Sequence, residues 1–221
     1  MKRVYLCAGL YAEGRTDYAF LLPLINRLLD DLCARLLPSA HERADSKGID
    51  AEGSPPTDRA QRIALAIEQS VSECTLFVIH SDGESDHALH QQRKIDPGVQ
   101  AAKARVDEPF AAAPCLPVRE TESWLLTDLR PFQLRYGEGI SLTLPAQPEK
   151  EADPKLTARQ LMQLAGKSSH LPTESQLGEL MPLFGDNVSL ECLRRLPSFR
   201  AFEAELIEAV REVAAEYGHL I

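Results

Sequence analysis

The sequence predicts an α/β fold, a mainly parallel sheet with helices on both faces, followed by a helical C-terminal segment. Three observations predict it. Strand-like apolar runs alternate with amphipathic helical patterns through residues 4–129. The run at residues 76–79 is apolar at every position, as suits a central parallel strand buried on both sides. Acidic clusters follow three of the strand-like runs directly, and open α/β sheets place ligands at the carboxyl ends of their strands.

Residues 4–10 form the first strand, which stops at Glu13-Gly14. Thr16 is the expected N-cap of the helix that follows, with Asp17 in its first turn and Phe20, Leu21, Leu24, Ile25, Leu28, Leu29 and Leu32 on one apolar face. Residues 38–56, rich in Pro, Gly and charge, read as a long loop able to cover a site. Thr57 or Asp58 starts a second helix carrying Ile63, Ala64, Ala66 and Ile67, and residues 74–80 return as a strand. The polar stretch 81–96 is expected as a solvent-facing loop or short helix. Asp96 as N-cap and Pro97 at the first helical position then open a helix through residues 99–106. Residues 112–118 form the next strand, and 121–129 a short helix that holds Trp124, Leu125 and Leu126 against the sheet. Residues 147–154 read as a charged linker, and everything after Leu156 has helical period. The expected division is an α/β domain over 1–146 and a helical region over 147–221 packed on it, with no internal repeat.

At 221 residues with 44% hydrophobic content, the chain is long enough to bury a substantial core. A formal net charge of -9 argues against holding DNA through a basic surface, so a nucleic-acid substrate would need metal ions or a basic partner to offset repulsion. Cys7, Cys33, Cys74, Cys115 and Cys192 are scattered, without a Cys-x-x-Cys pair, and read as the reduced thiols of a cytoplasmic protein. Met1-Lys2-Arg3 mimics the start of a signal peptide, but the apolar run that follows is short. No segment has the length of an apolar membrane span.

Carboxylates at strand ends are the candidate chemistry. Glu13 is expected as a metal ligand or general base, and Asp82 as a metal ligand, with Glu84 and Asp86 sharing the second position. Hard oxygen ligands of this kind suit Mg²⁺ or Mn²⁺ better than zinc. Asp17 and Glu120 are secondary candidates, since an acid in the first turn of a helix is also favoured by the helix dipole. Asp, Gly and Ser around residue 82 equally suit a plain solvated turn. His80, His87 and His90 beside these acids raise zinc as an alternative, but their spacing matches no short zinc motif; they read as surface or loop histidines, and His80 also suits packing within its strand.

Three segments carry a family resemblance: Glu13-Gly14-Arg15-Thr16-Asp17, Ser81-Asp82-Gly83-Glu84, and Arg119-Glu120-Thr121-Glu122-Ser123-Trp124-Leu125. In order and placement they resemble the Toprim domain of type IA topoisomerases, primases and OLD-type nucleases. In particular the chain resembles small bacterial Toprim-like proteins often encoded beside an ABC-type or AAA-type ATPase. The resemblance runs to about Asp128 and, more loosely, through Asp153-Pro154-Lys155-Leu156 and the C-terminal helix. Glu84 stands where the family has its second Asp, and Asp86 follows. The resemblance implies a Toprim-like, Rossmann-like sheet, with Glu122 as a ligand or supporting acid and Lys155 contacting phosphate. Arg15 and Arg119 are further substrate-binding candidates, since guanidinium groups pair well with phosphate oxygens.

The function implied is a Mg²⁺- or Mn²⁺-dependent nuclease, with Glu13, Asp82 and Lys155 as its catalytic groups, working with an ATPase partner in anti-phage defence or DNA repair. Two alternatives use the same residues: a Toprim-like interaction protein without catalysis, and a phosphohydrolase acting on nucleotides or other small molecules.

Overall fold

The structure is a computed structural model that describes residues 2–53, 56–83 and 87–219. Glu84 and Asp86 lie outside the described residues.

The first strand is interrupted at Cys7, giving β1 (Val4–Leu6) and β2 (Ala8–Tyr11). The Cys7 carbonyl accepts from the Thr75 and Leu76 amides at 3.1 and 3.3 Å, and from Ala8 onward the run pairs with the strand that begins at Leu76. Helix α1 (Arg15–Leu36) caps on Gly14, not on Thr16. The cause is Asp17, whose Oδ2 accepts the Gly14 amide at 3.0 Å and closes the first turn earlier.

The expected loop at 38–56 contains two short strands, β3 (His41–Arg43) and β4 (Lys47–Gly48), parallel to β1 and β2 respectively. Both are polar edge strands without apolar alternation, the kind that resists edge-to-edge association and leaves little trace in a sequence. Helix α2 (Arg59–Ser70) starts on Asp58, which accepts the Gln61 amide at 2.9 Å. Strand β5 (Leu76–His80) is buried throughout.

Helices α3 (His87–Lys94) and α4 (Asp96–Lys103) follow almost without a break. The N-cap of α4 is therefore Ile95, and Asp96 and Pro97 are its first two helical residues. Ile95 still donates to the Gln91 carbonyl at 2.9 Å, so Asp96 has no free turn in which to act as the cap. Strand β6 (Ala111–Cys115) ends three residues before the expected 118, and beyond it a single parallel bridge joins Gly83 to Val118. Then come α5 (Glu122–Leu125), α6 (Arg130–Tyr136), a 3₁₀ turn at Pro148–Lys150 within the expected linker, α7 (Pro154–Ala165), α8 (Glu174–Gly178), α9 (Met181–Asn187), α10 (Leu190–Leu193) and α11 (Pro197–Glu216).

The larger sheet has the order β4-β2-β5-β6, every pair parallel, with Ala8 opposite Leu76 and Leu76 opposite Ala111. Alternation along β5 divides the core. Leu76 and Val78 face a layer containing α1, α9 and α11, while Phe77 and Ile79 face α2 and α4. Trp124 ties α5 to α11: its indole N–H donates to Ser198 Oγ at 2.8 Å, and its ring packs edge-on to Phe199 and stacked with Phe202. Among the described residues no helix is long and apolar enough to cross a membrane.

Candidate metal centre

Because β2 and β5 are adjacent and parallel, with Tyr11 opposite Ile79, the chain leaves both strands side by side at one edge. Glu13 and Asp82 thus emerge together. Glu13 Oε1 accepts from Ser81 Oγ at 2.7 Å and pairs with Arg59 at 2.9 Å. Asp17, buried in the first turn of α1, takes the Gly14 amide on one oxygen and the Thr121 hydroxyl on the other at 2.9 Å. Its carboxylate is oriented from both sides.

His80 ends β5 in phase with Leu76 and Val78, on the α1 side of the sheet. Its ring is fully buried, with one nitrogen 3.6 Å from Asp82 Oδ1 and the other 4.0 Å from Asp17 Oδ2. Among the described residues neither ring nitrogen has a hydrogen-bond partner, and nor does Asp82 Oδ1. Gly83 fixes the backbone of Asp82. Its amide donates to the Pro117 carbonyl and its carbonyl accepts from the Arg119 amide, both at 2.9 Å. A Cβ at position 83 would lie 2.5 Å from the Pro117 oxygen, so only glycine allows this approach.

The third acidic segment closes the site. Glu122 is buried and Glu120 half-buried, and the Lys155 ammonium lies 3.7 Å from the first and 3.8 Å from the second. Asp153 delivers that lysine by capping α7, accepting the Leu156 amide at 2.7 Å, with Pro154 at the first helical position. A cleft of about 470 Å³ opens here, and Asp82, Arg119, Glu120, Lys155, Arg159 and Glu174 are on its walls. Arg15 is exposed at the start of α1 and is not among the lining residues. Cavities of about 500 and 400 Å³ elsewhere contain none of these strand-end acids.

Burial, then the charges of Asp17, Glu13, Glu122 and Glu120, push the Asp82 carboxyl up to about 7. Burial also raises Glu122, outweighing the attraction of Lys155. Burial works against the charge on Lys155, but Glu122 and Glu120 outweigh it and hold the ammonium above its ordinary value. Burial lowers His80, favouring the neutral imidazole that can bind a metal. The edge holds more negative charge than Lys155 and Arg59 offset, which favours a cation. One ligand atom each from Asp17, His80 and Asp82 lie within 4.8 Å of one another, so these three could hold a metal ion.

The expected residues Glu13, Asp17, Asp82, Glu120, Glu122, Arg119 and Lys155 meet at one edge, but with altered parts. Glu13 is engaged by Arg59 and Ser81 and stands outside the three-residue group, whereas Asp17 stands inside it. The three histidines do not form a group. His90 bonds Ser81 at 3.1 Å, and His80 alone joins the carboxylates. Thr121 and Arg159 are site residues that reading the sequence missed, and His80, weighed there only with His87 and His90 for zinc, stands instead with the carboxylates. Only His80 had a usable signal, a polar residue closing an apolar strand in the phase that faces α1. No family model, curated protein or solved structure matches the chain.

Proposed function

We propose that the chain is a metal-dependent phosphoryl-transfer enzyme, a nuclease of Toprim type using Mg²⁺ or Mn²⁺. One observation carries the reading: Asp82, one of the carboxylates able to hold a cation, lines the same cleft as Lys155, Arg119 and Arg159, the cations able to hold a phosphate. The carboxylates of Asp17 and Asp82 would hold the ion, and a bound divalent ion supplies Lewis-acid polarisation of a phosphoryl oxygen. The protein's own part is positioning. Arg119 and Arg159 offer guanidinium groups to phosphate oxygens, and Lys155 places a fixed positive charge at the cleft wall. Glu13, held by Arg59 and Ser81, is the carboxylate available to take a proton from attacking water.

The net charge of -9 supports a basic or ATPase partner that brings the nucleic acid, as the Toprim-like resemblance implies. The five free cysteines fit the reducing cytoplasm. A second reading, hydrolysis of a nucleotide-sized phosphoester, draws support from the cleft, whose volume of about 470 Å³ suits a small ligand.

Incubating the purified protein with Mn²⁺ or Mg²⁺ and, in parallel, DNA, RNA and mononucleotides tests both readings. Turnover of a polynucleotide that Asp82→Asn abolishes is expected. Turnover of mononucleotides alone would select the second reading. Activity undiminished in Asp82→Asn would place the chemistry elsewhere.

A further inference from the structure

We propose that His80 is a nitrogen ligand of this centre, so that Asp17, His80 and Asp82 form a mixed site selecting Mn²⁺, or a similar first-row cation, over Mg²⁺ and Ca²⁺. The inference rests on the metal-dependent reading above and narrows it.

His80 is fully buried, yet among the described residues neither ring nitrogen has a hydrogen-bond partner. Buried polar groups in native proteins are nearly always satisfied, so an orphaned imidazole aimed at two carboxylates calls for a partner. The spacing identifies one. At 3.6 and 4.0 Å the two ring nitrogens are beyond hydrogen-bond reach of Asp82 and Asp17; one ion takes only one of them, here the nitrogen facing Asp82, and the other keeps its proton on the Asp17 side. Two ligand atoms that each lie about 2.1 Å from one ion are about 3.0 Å apart at a right angle and about 3.4 Å apart at a tetrahedral angle. Asp82 Oδ1 and a ring nitrogen therefore need to close by only a few tenths of an ångström, roughly, to share an ion. Asp82 Oδ1 is itself unpartnered among the described residues. Asp17 is already oriented by Gly14 and Thr121, the supporting contacts a ligating carboxylate needs.

The donor set then decides the metal. Mg²⁺ and Ca²⁺ take oxygen ligands, whereas imidazole favours the first-row transition ions. One nitrogen with two carboxylates lies between these classes, and Mn²⁺ accepts both donor types while leaving positions for water and phosphate oxygens. The all-oxygen site expected from the sequence is replaced by a mixed one.

The test is Mn²⁺ and Mg²⁺ titration of the purified protein, with electron spin echo spectroscopy of the bound Mn²⁺ and no substrate present. Nitrogen hyperfine modulation is expected in the wild-type spectrum, with Mn²⁺ bound roughly tenfold or more tightly than Mg²⁺, the scale on which residues around a metal act. His80→Gln and His80→Asn should lose the modulation and the preference while binding either ion weakly. Circular dichroism reports whether each variant folds, and the wild-type spectrum stands without them. If Mn²⁺ binds in a way that Asp82→Asn abolishes but shows no nitrogen modulation, His80 is not a ligand and the metal-dependent reading survives. Modulation that persists in a folded His80→Gln protein overturns the assignment as well. Wild-type protein that binds neither ion overturns both.

Discussion

Asp82 is a carboxylate that costs the folded protein stability once it ionises. Its carboxyl is raised from 3.8 to about 7, so the folded protein holds that proton more tightly than the unfolded chain does. The corresponding stability is present below the unfolded value and is lost as pH rises toward and through 7. Metal-free Asp82→Asn protein is therefore expected to be more stable than wild type at pH 8 and to gain nothing at pH 4. Its side chain is 44% exposed, so solvent screening keeps the gain to roughly 1 kcal/mol, measurable by urea denaturation in chelator. Gly83 should behave oppositely. Gly83→Ala drives a methyl group into the Pro117 carbonyl and is expected to cost about 1 to 3 kcal/mol and to weaken metal binding by moving Asp82, as denaturation and calorimetry would show. Glu13, Asp82 and Glu122 were legible in the sequence because acids following apolar strand runs are visible locally. The Thr121 hydroxyl bond to Asp17 was not, because 104 positions separate the partners and only the folded chain joins them.

Among the elements, those with strong periodicity were legible and those defined by their neighbours were not. The unbroken apolar run at 76–79 and the apolar face of α1 announce a buried strand and its covering helix. Strands β3 and β4 escape such a reading, because a two- or three-residue polar edge strand exists only through the backbone bonds it makes to β1 and β2. Helix α7 is an element whose start sets the site: Asp153 and Pro154 fix the turn that places Lys155 between Glu120 and Glu122. Lys155→Met should leave those two acids without their shared cation. Calorimetric titration with Mn²⁺ is then expected to show a second, weaker binding event absent from wild type, together with loss of phosphoester turnover. An unchanged titration with full turnover would remove Lys155 from the account.

Across the whole molecule, α/β class and the gathering of acids at the carboxyl ends of the strands follow from the alternating pattern. How the C-terminal helices complete that edge does not. Trp124 and its bond to Ser198 join α5 to α11, and Arg27 donates to the Gly185 and Val188 carbonyls at 2.8 Å to join α1 to the end of α9. Periodicity places residues on faces and says nothing of which distant faces meet. Whether this edge is a metal centre serving phosphoryl transfer can be decided by anomalous diffraction at the manganese edge from crystals soaked in Mn²⁺. An anomalous peak is expected within about 2.1 to 2.3 Å of Asp17, His80 and Asp82, opening onto the cleft of Lys155 and Arg119. Peaks only at other positions, or none at saturating Mn²⁺, would contradict it.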